Sequence, residues 1–141
     1  MRLICALIFA TVLVFLSALH VYWALGGQWG SEVTIPTIGG RRMLNPSPLA
    51  TYLVALLLAV AAVIICGEAR LFPAGYLTPL VHLGAWCIAG VFLLRSIGNF
   101  HTFGFFKSVA GTPFAYWDTR LYSPLCLVLA ALAAVVAASR D

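Results

Sequence analysis

The sequence predicts an all-α integral membrane protein, a four-transmembrane-helix bundle with two long aromatic loops on one face. Composition is the first reason. Hydrophobic residues make up 63% of the chain and charged residues 9%, where soluble domains carry roughly a quarter charged. Mean hydropathy is +1.05. A soluble chain of 141 residues cannot bury that much apolar surface, because a domain this small still exposes a large exterior. The second reason is segmentation. Four apolar stretches, about residues 3–25, 48–66, 79–98 and 119–139, each approach the ~20 residues that a helix needs to cross a hydrocarbon core. The third is the lack of alternation: Leu53-Val54-Ala55-Leu56-Leu57-Leu58-Ala59-Val60 is apolar on every face. In lipid such a segment is a helix, which satisfies all its backbone groups internally. The length suits one domain, residues 1–141.

The first stretch begins after Arg2 and runs on without a small-residue cleavage site before His20-Val21-Tyr22-Trp23, so a retained helix is expected rather than a signal peptide. Ser47-Pro48 and Thr78-Pro79 each place a capping hydroxyl before a proline at the first helical position. Gly67 and Gly98 suit helix ends, where a left-handed residue closes the last turn. The fourth start has two alternatives. Asp118 caps a helix kinked at Pro124, or Ser123-Pro124 starts a shorter one.

A short hairpin, residues 68–75, joins the second and third helices. The connections 26–45 and 99–117 are long and lie on the same side. They carry Trp29, Ile35, Ile38, Phe100, Phe103, Phe105, Phe106, Phe114, Tyr116 and Trp117, so they are expected to fold down as a lid or to lie in the interface, where amphipathic rings belong. Orientation is balanced. Arg2, Arg70 and Arg140 lie on one side; Arg41, Arg42, Arg95, Lys107 and Arg120 lie on the other. Setting Arg95 and Arg120 aside as site residues leaves three on each side. The near absence of a tail before Arg2 then leans both termini to the cytoplasm.

The net charge of +4 does not point to nucleic acid, since no basic run exceeds Arg41-Arg42 and phosphate tracking needs a contiguous basic surface. The cations sit at helix ends, where they meet lipid headgroups. Cys5, Cys66, Cys87 and Cys126 form no C-x-x-C pair and read as small buried hydrophobes, with a Cys5–Cys66 bridge left open. His20, His82 and His101 lack metal-ligand spacing. No metal site is expected, and no motif names a cofactor.

The residues able to carry chemistry gather at the long-loop end. Arg95 lies within the third apolar stretch about one turn from its end. It either snorkels to the interface or faces inward toward an acid or an anionic ligand, with Asn99 four residues on sharing its helical face. His20 pairs with Trp23 at helical spacing; it is either a hydrogen-bonded core histidine or a proton-transfer group. Tyr116-Trp117-Asp118-Thr119-Arg120-Leu121-Tyr122-Ser123 is the densest polar stretch. Asp118 either caps a helix and pairs with Arg95 or Arg120, or joins a site in which Arg95 and Asp118 orient each other while His20 and Tyr122 move protons. The expected set is thus His20, Asp118 and Tyr122 for chemistry, and Trp23, Arg95, Asn99 and Arg120 for binding. The opposite face offers only Glu68, Arg70, His82 and the termini, and that asymmetry is the main pointer to a site.

Leu19-His20-Val21-Tyr22-Trp23-Ala24-Leu25-Gly26-Gly27-Gln28-Trp29-Gly30, Ile35-Pro36, Arg95-Ser96-Ile97-Gly98-Asn99-Phe100, Gly104-Phe105-Phe106-Lys107, Phe114 and Asp118-Thr119-Arg120-Leu121-Tyr122-Ser123-Pro124-Leu125 together resemble a family of small bacterial four-helix membrane proteins classed as a domain of unknown function. The resemblance spans nearly the whole chain and implies a bacterial inner-membrane protein. It brings no activity and no residue roles.

Three functions fit these observations. One is a pocket at the long-loop end, taking a small amphipathic or anionic ligand, with or without proton-transfer chemistry. Another is an accessory subunit that packs on a membrane-protein partner or on its own copy, favoured by the small residues of Leu129-Ala130-Ala131-Leu132-Ala133-Ala134. The third is a small transporter, although no carboxylate falls at mid-membrane. Membrane lipids are partners in each case.

Overall fold

The computed structural model describes residues 1–73 and 75–139; Arg140, counted above for orientation, lies outside them. The element order is α1 (Arg2–Ala24), α2 (Ser31–Thr34), β1 (Thr37–Ile38), β2 (Arg41–Arg42), α3 (Pro48–Glu68), α4 (Thr78–Ile97), α5 (Pro113–Trp117) and α6 (Ser123–Ala138). A 3-10 turn, Gly75–Leu77, leads into α4, and a π-helical segment, Asp118–Tyr122, joins α5 to α6. Among the described residues four helical spans are long and apolar enough to cross a membrane: Arg2–Ala24, Pro48–Glu68, Gly75–Ile97 and Pro113–Ala138. The chain is a multi-pass integral membrane protein.

The helices close a ring in which α1 packs along α3, α3 against α4, α4 along α6, and α6 back on α1. The core is made mostly of small side chains. Ala6, Phe9 and Leu13 of α1 meet Ala62 and Ile65 of α3, Ala85 and Ala89 of α4, and Leu129, Ala133, Val136 and Ala137 of α6. Alanine at these contacts lets backbones approach closely, which is what drives association where lipid removes the hydrophobic incentive. Phe9 and Phe92 add an edge-to-face contact, with centroids 5.8 Å apart. This apolar core occupies the half of the bundle nearer the termini, while Ser96, Asp118 and Ser123, all buried, lie in the half nearer the long loops. All four cysteines are free thiols.

Helix ends follow the expected chemistry in part. Ser47 Oγ accepts from Ala50 N–H at 3.2 Å and caps α3. Thr78 does not cap α4; the 3-10 turn precedes it, and its hydroxyl donates to Gly75 O at 2.6 Å. Gly67 does not end α3. The helix runs on to Glu68, and Arg70 takes the left-handed conformation with φ 60°. Gly67 is buried instead against the Phe72 ring. Gly98, with φ 91°, does end α4. Of the two expected starts of the fourth helix, Ser123-Pro124 is where α6 begins, though without a side-chain cap, and Asp118 caps nothing; the apolar span itself extends further back. That span begins at Pro113, where Thr112 Oγ1 accepts from Ala115 N–H at 3.1 Å, and it passes through the π segment without interruption. Asp118 is spared the capping role, and its side chain is free to leave the helix.

The two long connections meet at one end. The short α2 helix packs on α5, and the Tyr122 hydroxyl donates to Val33 O at 3.3 Å. The first connection also carries the antiparallel β1–β2 hairpin, which periodicity did not indicate.

Candidate functional site

After α4 the chain reverses tightly over the end of its own helix. Asn99 organises the turn: its Oδ1 accepts from the N–H groups of His101, Thr102 and Phe103, and its Nδ2 donates to Thr102 Oγ1 at 2.8 Å. Phe105 N–H donates to Ser96 O at 2.8 Å, satisfying a carbonyl left open at the helix end. Gly98 and Gly104 lie back to back, both with φ 91°, and a Cβ on either would run into the other's backbone. This reversal brings the Gly104 N–H and the Lys107 ammonium to the side chain of Asp118.

Asp118 is fully buried and accepts from three groups. Arg95 Nη2 reaches Oδ1 at 2.9 Å; Gly104 N–H and Lys107 Nζ reach Oδ2 at 2.8 and 3.1 Å. Lys107, whose side chain is 6% exposed, also donates to Gly104 O at 3.0 Å and to Thr119 Oγ1 at 2.6 Å. Arg95 lies over the Phe103 ring, its guanidinium carbon 4.7 Å from the centroid. Its Nη1 is buried without a hydrogen-bond partner, as is the hydroxyl of Ser123 one π turn beyond Asp118. Two cations thus face one acid in a desolvated setting, leaving a surplus positive charge. The π segment makes this possible. Its wider turn directs Asp118 inward while Arg120 stays exposed, and such segments recur at functional sites.

Beside this cluster opens a groove of about 620 Å³, walled by Phe105, Val109, Ala110 and Pro113, with Lys107, Thr112, Tyr116 and Thr119 supplying its polar atoms. None of the seven residues expected from the sequence lines it. Lys107 belongs to both groove and ion cluster and links the two.

Of the expected set, the fold joins Arg95 to Asp118 directly, and Asn99 shapes the loop that covers them. Tyr122 is near enough to feel the charge of Asp118, but its hydroxyl bonds to Val33 and its ring faces Phe114 at 6.1 Å. Arg120 stacks on the Tyr116 ring, 3.9 Å from its centroid. His20 bonds through Nδ1 to Leu16 O at 2.7 Å and contacts Trp23 edge-on, while Trp23 Nε1 donates to Trp29 O at 2.8 Å. His20 and Trp23 therefore brace the start of the first loop, and among the described residues neither hydrogen-bonds to Asp118. Lys107 is the residue that sequence reasoning missed. It lies eleven positions before Asp118 in an irregular loop, with its single positive charge and its place in the Gly104–Lys107 stretch of the family resemblance as the signals.

The polar asymmetry of the sequence is also weaker in three dimensions. At the opposite end, buried Glu68 receives Arg2 Nη2 on its backbone oxygen, lies 3.7 Å from that group through Oε1, and meets His82 Nδ1 at 2.9 Å. Three helix ends are fastened there by a second ionic cluster. Among the described residues no group of His, Cys, Asp and Glu side chains is arranged to hold a metal.

Fold and site together define a small multi-pass membrane protein with a buried ion cluster under its long loops. The chain belongs to the family described as "Protein of unknown function (DUF3995)", whose model matches residues 13–133. No curated protein and no solved structure matches it significantly.

Proposed function

We propose that the long-loop end binds a small amphipathic molecule with an anionic head, seated in the groove beside Lys107. The observation that carries this is the placement of Lys107: one ammonium belongs to a cluster with two cations for one acid and also lines an apolar-walled groove. An arriving carboxylate or phosphate takes over the bond that Lys107 gives to Thr119, while Arg95 and Gly104 keep Asp118 satisfied. The walls supplied by Phe105, Val109 and Pro113 suit an apolar tail, as binding sites pair apolar lining with a few placed polar groups. Composition and the family resemblance support a bacterial inner membrane as its location.

The geometry favours binding over proton transfer, because His20 and Tyr122 hydrogen-bond to backbone carbonyls away from Asp118. Transport is the less supported reading, since all four described ion pairs lie at the two ends of the bundle and carriers place ionisable groups near the midplane.

Oleate and oleyl alcohol provide a matched pair of probes, equal in chain and different in charge. Native mass spectrometry of the detergent-released protein should retain oleate and not the alcohol. Lys107→Gln should weaken oleate binding by roughly tenfold or more, the scale of a lost charged hydrogen bond, and Arg95→Gln should weaken it too. Equal retention of both probes, or undiminished oleate binding by folded Lys107→Gln, would sink the proposal.

A further inference from the structure

We propose that the β1–β2 hairpin is an interfacial element that docks on anionic phospholipid headgroups at the long-loop side of the membrane. Register is the first observation. Ile38 pairs with Arg41 and Thr37 with Arg42, so Ile38 and Arg41 share one face of the hairpin, and Met43 continues that face two residues on. The second is exposure. Every residue from 38 to 50 is exposed, with Met43 at 47% and Leu44 at 61%, so the fold gives these apolar groups no cover.

Charge names the partner. Arg41 and Arg42 are the only charged residues between Glu32 and Glu68, and nothing acidic competes for them along this segment. Connectivity names the place. Four residues lie between Met43 and Pro48, so the reach is at most ~18 Å and the hairpin stays close to where α3 enters the bilayer. Laid on the surface, Ile38 and Met43 enter the acyl boundary while the Arg41 guanidinium remains at phosphate level, the division of labour of a snorkelling cation. An anionic leaflet satisfies both the charge and the apolar side chains.

Amide hydrogen exchange of residues 37–44 tests this on the full chain in nanodiscs. One disc is phosphatidylcholine alone; the other also contains phosphatidylglycerol. Exchange should slow several-fold in the anionic discs, and the difference should vanish in Arg41→Gln/Arg42→Gln and in high salt, given the roughly five-fold contribution of each surface cation. Met43→Asn, which keeps both charges, should lose part of the protection. Equal exchange in the two discs overturns the proposal by itself, independent of any variant. A slowing that survives the double substitution overturns it as well. Protection seen only in native membrane fragments assigns the hairpin to a protein partner instead. Oleate binding in the groove is a separate readout, so either proposal can fail without the other.

Discussion

Asp118 takes three donors, one side chain from α4 and an amide and an ammonium from the loop that follows that helix. Removing it leaves Arg95 and Lys107 facing each other without an acid. Breaking such a buried pair typically costs ~3–5 kcal/mol, because the surviving charge is uncompensated. Asp118→Ala is therefore expected to lower stability by about that amount in an equilibrium unfolding titration in mixed micelles. Arg120→Ala serves as the contrast. Its guanidinium is exposed and stacks on Tyr116, so the loss should stay within ~1 kcal/mol. Equal effects for the two would refute the burial argument. Part of this residue-scale picture was legible in the sequence: an arginine inside an apolar span calls for an acid, and Asp118 was the nearest one. Lys107 was not legible, because pairing through an irregular loop leaves no periodic trace. Nor was the sharing of Glu68 by Arg2 and His82, since three scattered helix ends must be assembled before those residues become neighbours.

At the scale of elements, the four spans were readable because lipid permits only self-satisfied backbone, which turns apolar runs into helices almost without alternative. Their ends were less readable. Ser47-Pro48 works as a cap, and the same signature at Thr112-Pro113 starts the last span, upstream of both Asp118 and the Ser123 start of α6. The tight reversal after α4 rests on glycine for a steric reason. Gly104→Ala would place a Cβ against Gly98 and Ile97 O at φ 91°, combining left-handed strain of ~1–2 kcal/mol with overpacking of ~1–3 kcal/mol. It would also displace the amide that donates to Asp118. Gly90→Ala is expected to have the opposite sign. A Cβ there meets nothing within 4 Å, and alanine in a helix interior gains ~0.5–1 kcal/mol over glycine. Thermal denaturation in detergent should show Gly104→Ala melting lower and Gly90→Ala equal to or above the parent. A Gly104→Ala protein as stable as the parent would refute the close approach.

For the whole molecule, the structure bears on how the bundle sits across the bilayer. Sequence counting ties only when Arg95 and Arg120 are both withheld as site residues. The structure separates them: Arg95 is committed to Asp118, but Arg120 is exposed and stacked on Tyr116, with no ion pair among the described residues. Arg120 therefore returns to the count. Arg41, Arg42, Lys107 and Arg120 then outnumber Arg2, Arg70 and Arg140, and positively charged flanks are retained in the cytoplasm irrespective of nearby acids. The same two hairpin arginines are exposed, so an anionic cytoplasmic leaflet suits that side. The expected orientation places the long loops inside and both termini outside, reversing the lean suggested by Arg2 alone. Fusing a reporter pair to the C-terminus decides between them: alkaline phosphatase should be active and green fluorescent protein dark. A fluorescent, phosphatase-inactive C-terminus would return the termini to the cytoplasm and put Arg41 and Arg42 on the outer surface, where an anionic leaflet would have to be found for them on the other side of the membrane.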